Sequence, residues 1–168
     1  MRSLSIALAG NPNSGKTTLF NVLTGSSQHV GNWPGKTVEK RSGRLSALST
    51  EVEVVDLPGT YSLAAVSPEE SVARDYLLEE TPDVVVLVVD ATNLERNLYL
   101  TVQVLELGIP AVVALNMADT AEARGFHIDH GRLAETLGVP VVRTVARRRE
   151  GVDDLIDAVR VVATESVA

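Results

Sequence analysis

Gly10-Asn11-Pro12-Asn13-Ser14-Gly15-Lys16-Thr17 sets two glycines, an amine and a hydroxyl in the spacing G-x-x-x-x-G-K-[ST]. Glycines let the backbone curl until successive N–H groups converge, and a helix that starts there adds the positive end of its dipole. This is chemistry for a polyphosphate. Lys16 reaches the β and γ phosphates, Thr17 offers its hydroxyl to Mg²⁺, and Thr18 is placed for the α phosphate.

Two further groups have matching chemistry. Asp56-Leu57-Pro58-Gly59 follows an apolar run, so its carboxylate can hold Mg²⁺ through water and the N–H of Gly59 can meet the γ phosphate. Asn116-Met117-Ala118-Asp119 follows another such run, at the edge where open α/β sheets bind ligands. A carboxylate at Asp119 accepts from both N1–H and the exocyclic amine of guanine, a donor pair that adenine lacks. In this order the motifs resemble those of Ras-like GTPases and select GTP over ATP. Thr144-Val145-Ala146 resembles the segment that such proteins use on the guanine oxygen through the N–H of Ala, although Val145 stands where a Ser is usual. Arg147, Arg148 and Arg149 then read as a solvated face opposite Glu150 and Asp153.

Positioning these groups requires a sheet. Leu4–Ala9, Val52–Val55, Val84–Val89, Ala111–Leu115 and Val139–Val142 are apolar apart from Ser5 and Glu53, as parallel strands buried on both faces are. Helical patterns alternate with them at Lys16–Leu23, Glu69–Leu78, Leu94–Leu107, Gly131–Leu137 and Val152–Val162. Val38–Leu48 alternates instead and reaches Val52 through a short turn, which predicts an antiparallel strand near the edge. The expected architecture is an α/β, Ras-like P-loop fold: a mostly parallel six-stranded sheet with one antiparallel edge-side strand and helices on both faces. The segment from Thr24 to Gly35 reads as a long functional loop.

Composition narrows the function. The 168 residues, with 45% hydrophobic residues, are expected to form a single domain. Cys is absent and His numbers 3, so thiolate metal sites, disulfides and thiol catalysis are excluded. A net charge of -7 argues against nucleic acid as a partner. No signal-peptide pattern and no apolar run of about 20 residues is evident, which favours the cytoplasm.

Val30-Gly31-Asn32-Trp33-Pro34-Gly35-Lys36-Thr37-Val38-Glu39 closely resembles the switch segment of the ferrous-iron transport protein B family. Asn11 to Asn21 and Asp56 to Leu63 resemble that family too, and the likeness covers nearly the whole chain. Lys36 departs from the small apolar residue usual in that segment. Trp33, alone in a Gly/Pro-rich polar loop, reads as a loop residue and not as core.

The resemblance implies the cytoplasmic N-terminal GTPase domain of a ferrous-iron transporter, with helical regulatory and membrane regions as partners outside this chain. It assigns Gly35, Lys36 and Thr37 to GTP, with Thr37 closing over Mg²⁺ and the γ phosphate. Asn13, together with carbonyls near Gly31 and Trp33, would hold K⁺ between the phosphates, making Asn13, Lys16, Thr37 and Gly59 the catalytic set. Thr60 and Tyr61 replace the water-orienting Gln that follows the D-x-x-G glycine in Ras-like enzymes, which predicts slow hydrolysis. Loss of the γ phosphate is expected to rearrange Val30–Glu39 and Gly59–Ser67. Direct iron binding is not expected. The rival readings are a module that binds nucleotide without hydrolysis, a ribosome- or RNA-associated GTPase, and an ATP-dependent small-molecule kinase.

Overall fold

The largely apolar runs fold as central parallel strands because helices cover both of their faces. The computed structural model describes residues 3–45 and 51–167. Its strands are β1 (Leu4–Gly10), β2 (Gln28–Asn32), β3 (Glu39–Arg44), β4 (Val52–Asp56), β5 (Val84–Asp90), β6 (Ala111–Asn116) and β7 (Val141–Arg143). They form one 7-stranded sheet in the order β2-β3-β4-β1-β5-β6-β7. β1 is parallel to β4 and β5, and β6 is parallel to β5 and β7. β3 is antiparallel to both neighbours, as its alternation predicts.

Successive residues of each central strand serve opposite cores. Ala7, Ala9, Val55, Val85, Leu87, Val113 and Leu115 face α2 (Pro68–Asp75) and α3 (Leu94–Leu105). Ile6, Leu8, Val54, Val84, Val86, Val112 and Ala114 face α1 (Lys16–Thr24) and α6 (Val152–Val167). Burying a Val, Leu or Phe side chain contributes roughly 1.5–3 kcal/mol, so the pattern on both faces fixes strand register firmly. Two shorter helices, α4 (Ala118–Ala123) and α5 (His130–Leu137), lie between β6 and β7 in sequence.

Local signals set the helix starts. Ser67 accepts the N–H of Glu70 at 3.1 Å, with Pro68 in the first turn of α2. Asp129 likewise accepts the N–H of Arg132 at 3.0 Å, and Gly138 closes α5 in the left-handed region at φ 75°. α2 stops at Asp75 and continues as a π-helical turn over Tyr76–Glu80, where the sequence pattern suggests regular helix to Leu78.

The sheet differs from expectation at one edge. β2 adds a strand within the segment that reads as a loop, giving seven strands where six are expected. All five of its residues are exposed, so hydrophobic periodicity carries no trace of it. It forms because β3 offers an open edge, and because the Trp33 N–H donates to Val38 O at 2.9 Å to close the turn. β3 itself covers Glu39–Arg44; of the strand expected over Val38–Leu48, residues 46–48 lie outside the described residues.

Candidate functional site

Parallel register carries the reactive groups to one edge. Gly10 ends β1 beside Val88, Asp56 ends β4 beside Leu8, and Asn116 ends β6 beside Asp90. This carboxyl edge is where doubly wound sheets bind ligands. A cavity of about 540 Å³ lies there, lined by Asn11, Pro12, Asn13, Gly15, Lys16, Thr17, Thr18, Gly59 and Met117. A smaller one of about 120 Å³ shares Gly15, Thr18 and Met117 with it and adds Asn116, Asp119, Val145, Ala146 and Arg147. The two are ends of a single cleft, one at the expected phosphate loop and the other at the segment expected to read the base.

Backbone crowding explains the glycines. A Cβ on Gly10 would lie 2.6 Å from Val88 O. Gly15 has φ 88°, and a Cβ there would strike the side-chain amide of Asn116. Asn13 is also left-handed at φ 66°, a conformation that Asn tolerates better than most residues. Asn11 and Ser14 are buried, and their side-chain oxygens Oδ1 and Oγ have no hydrogen-bond partner.

Lys16 and Asp56 pair with each other: Nζ donates to Oδ1, and both side chains are buried. Burial pushes the Asp56 carboxyl above its ordinary value, against the opposing pull of the Lys16 charge. The D-x-x-G segment runs on from β4 along the phosphate loop. Leu57 N donates to Leu8 O at 3.0 Å and Thr60 N to Gly10 O at 3.1 Å. A Cβ on Gly59 would sit 3.2 Å from Pro12. Leu57 is core, and Pro58 is half-buried between Leu57 and Gly59.

At the base end, Asn116 is a strut. Its Nδ2 donates to Ser14 O at 3.1 Å, while its Oδ1 accepts from Ala146 N at 3.0 Å and from Thr144 Oγ1 at 3.1 Å. The Ala146 N–H expected to face a guanine oxygen is therefore bound within the protein. Thr144 supplies the hydroxyl that Val145 cannot, and Val145 is a buried wall. Met117 takes φ 58°, which turns the chain from β6 into α4.

Arg147, Arg148 and Arg149 are exposed, as a solvated face requires, but the acidic partner of Arg147 and Arg148 is Asp119 and not Glu150 or Asp153. Arg147 Nη2 donates to Asp119 Oδ2, and Arg148 Nη1 lies 3.8 Å from the same oxygen. The hydrogen bond from Arg147 holds the Asp119 carboxyl below its ordinary value, and the charges of both arginines assist. A basic run directly after the base loop and opposite an acidic residue is the sequence signal that could have found this contact.

The expected switch residues lie elsewhere. Gly31, Trp33, Gly35, Lys36 and Thr37 do not line the phosphate cavity. Gly31 pairs with Lys40 in the β2–β3 ladder, and Trp33 O accepts the Lys36 N–H at 2.9 Å. Trp33 is core after all, packed edge-on against Tyr76 with ring centroids 5.5 Å apart and with Lys40 Nζ 4.7 Å from its ring centroid. The partner it needed comes from the π-helical turn, more than forty residues away. Trp33 and Lys36 line a separate cavity of about 460 Å³. Thr60 and Tyr61 supply no carboxamide: Thr60 is buried, and the Tyr61 ring lies 4.6 Å from the Arg96 guanidinium.

Comparison with known proteins agrees with this geometry. The family described as Ferrous iron transport protein B matches residues 4–159. The Fe(2+) transporter FeoB of Escherichia coli K12 is 52% identical over 172 residues, covering 99% of this chain and 22% of its own length. The Salmonella typhimurium protein of the same name is 54% identical over 159 residues, covering 92% and 21%. The chain therefore spans well under a third of these relatives. Among solved structures, the FeoB G-domain from Methanococcus jannaschii has 45% identity and a TM-score of 0.86, covering 98% of this chain and 99% of its own. A mutant of S. thermophilus NFeoB bound to GDP has 53% identity and a TM-score of 0.92, covering 98% and 65%. A phosphate loop and a base-reading segment joined at one sheet edge, and a match along nearly the whole chain to a solved G-domain, place this protein in the ferrous iron transport protein B family, with that family's Ras-like P-loop GTPase fold.

Proposed function

We propose that residues 1–168 form one G domain that binds GTP, hydrolyses it slowly to GDP and phosphate, and couples or regulates Fe²⁺ uptake by a membrane region of the parent transporter. The observation that carries this reading is the Asn116 strut, which holds a guanine-selective loop and a phosphate loop as one cleft. The GDP-bound relative supports the choice of nucleotide. The domain then works at the cytoplasmic face of the membrane, with helical regulatory and membrane regions as its partners.

Each group has a role in such a cleft. Phosphate-loop N–H groups and Lys16 take the phosphate charge, and Asp119 accepts from the guanine edge. Thr17 lines the phosphate cavity and Asp56 lies buried behind it on Lys16, so a hydroxyl and a carboxylate are at hand as hard oxygen donors that suit Mg²⁺. Mg²⁺ would neutralise charge developing on the γ phosphate. Asp56 is released for this role when Lys16 transfers from its carboxylate to the phosphates. In-line attack by water on the γ phosphorus breaks its bond to the β–γ bridging oxygen, and the GDP leaving group takes up the charge.

Slow turnover follows from Thr60 and Tyr61, which supply no side chain to orient the water. K⁺ assistance assigns Asn13, at the cavity wall, to the cation. It also requires residues 30–39 to leave their present turn, so that the Gly31 and Trp33 carbonyls and Thr37 reach the phosphates. Steady-state GTP hydrolysis with Mg²⁺, in K⁺ against Na⁺ at equal ionic strength, tests the proposal. Acceleration by K⁺ that disappears in Asn13→Ala is expected. Binding of GTP with no turnover in either salt would favour a nucleotide-occupancy module, a reading that rests on the missing Gln.

A further inference from the structure

The base loop is closed and stiff. Val145 N donates to Glu150 O at 3.0 Å and Glu150 N to Val145 O at 3.2 Å, while Arg149 turns the chain at φ 59°. Gly151 follows at φ 74°, packed so closely that a Cβ would strike Arg143 O. Arg143 ties the base of this loop to α4 by a two-pronged pair, Nε to Glu122 Oε1 at 2.7 Å and Nη2 to Oε2 at 2.9 Å. A loop held this way starts the Arg147 side chain beside Asp119, where its Nη2 donates to Oδ2.

Guanine reads a carboxylate with two N–H donors, one to each oxygen. A guanidinium presents the same kind of paired N–H edge. With Arg147 on Oδ2, Asp119 has one of the two acceptors that the base needs already engaged, and Arg147 walls the small cavity that the base would enter. We propose that Arg147 is a built-in competitor for the guanine base: it mimics the donor edge of the base at Asp119, must be displaced when nucleotide binds, and returns to hasten release. The inference rests on the guanine reading of the cleft. It makes Arg147 a determinant of nucleotide affinity and lifetime, with no part in the hydrolytic step itself.

Arg147→Ala tests this, because its side chain is 61% exposed and packs in no core. Equilibrium binding and stopped-flow release of fluorescent GDP are compared in wild type, Arg147→Ala and Arg148→Ala at low and high salt. Removing the competitor is expected to tighten GDP binding and slow its release by about two- to five-fold, the scale of one exposed ion pair. That gain should shrink as salt screens the pair in the wild type. Arg148→Ala, at the longer distance, should move less. Unchanged or weaker binding in Arg147→Ala, with the wild type still binding GDP, overturns the inference alone. Failure of the wild type to bind GDP overturns the guanine reading and the inference together.

Discussion

The side-chain amide of Asn116 donates to the carbonyl of Ser14 at 3.1 Å, a contact that spans 102 positions of sequence. Through its other atom the same amide holds Ala146 and Thr144. Three segments that line the two ends of the proposed nucleotide cleft are thereby fixed to one buried side chain.

Asn116→Ala should be severe on this account. It leaves the Ala146 N–H, the Thr144 hydroxyl and the Ser14 carbonyl without their partner, and each unmet buried group costs roughly 1–3 kcal/mol. Urea unfolding without nucleotide should show a loss of about 3 kcal/mol. Asn116→Asp keeps the acceptor but sets a buried carboxylate oxygen against the Ser14 carbonyl, so it should also destabilise, and less at acidic pH where the carboxyl is protonated. Equal stability of Asn116→Ala and wild type would show that the strut carries no load.

The two ends of the cleft also depend on glycines that admit no Cβ. At Gly15 (φ 88°) the added carbon meets Asn116, and at Gly151 (φ 74°) it meets Arg143 O. A left-handed non-glycine residue costs about 1 kcal/mol or more before any collision. Gly15→Ala is expected to abolish nucleotide retention on gel filtration. Gly151→Ala should weaken base binding while leaving the phosphate loop intact, which a pyrophosphate competition assay would separate.

Trp33 gives an optical readout of the switch, since it is the only tryptophan in the sequence. Trp33→Ala should cost about 3 kcal/mol, as loss of a buried aromatic does. Its indole nitrogen is buried and has no hydrogen-bond partner among the described residues. Trp33→Phe removes that unmet group along with the larger ring and should therefore cost far less. Binding of a non-hydrolysable GTP analogue with Mg²⁺ should shift Trp33 emission as residues 30–39 rearrange, and GDP should not. Identical spectra in the two nucleotides would count against a moving switch.

The pH dependence has two opposite signs. The Arg147 hydrogen bond lowers Asp119, and the Arg143 hydrogen bond lowers Glu122. Each contributes stability that is present above its ordinary value and is lost as pH falls through the lowered one. Asp56 is raised from 3.8, mainly by burial. Its contribution is full below 3.8 and is lost as pH rises through the raised value. Urea midpoints of Glu122→Gln and wild type should accordingly converge on acidification through and below the ordinary carboxylate range. Asp56→Asn should gain on wild type as pH rises above the ordinary carboxylate range. A gap that stays constant across these windows would contradict both signs.

Much of this was legible in the residues. Five largely apolar runs announced the parallel strands, because burial on both faces leaves few polar positions, and Gly10, Asp56 and Asn116 each followed directly from one of them. The phosphate loop needed no tertiary information, since its glycines, Lys16 and Thr17 are contiguous.

What the sequence could not yield depends on partners distant in the chain. β2 is exposed and polar, and only the open edge of β3 makes it a strand. Trp33 became core through Tyr76, Asn116 became a strut through Ser14, and Arg147 became a competitor through Asp119. A side chain's type states what it can bond, and its neighbours in sequence place it on an element. Which of its possible partners it meets is settled by sheet order and helix packing, because these bring far-separated residues within the few ångströms over which hydrogen bonds and ion pairs act.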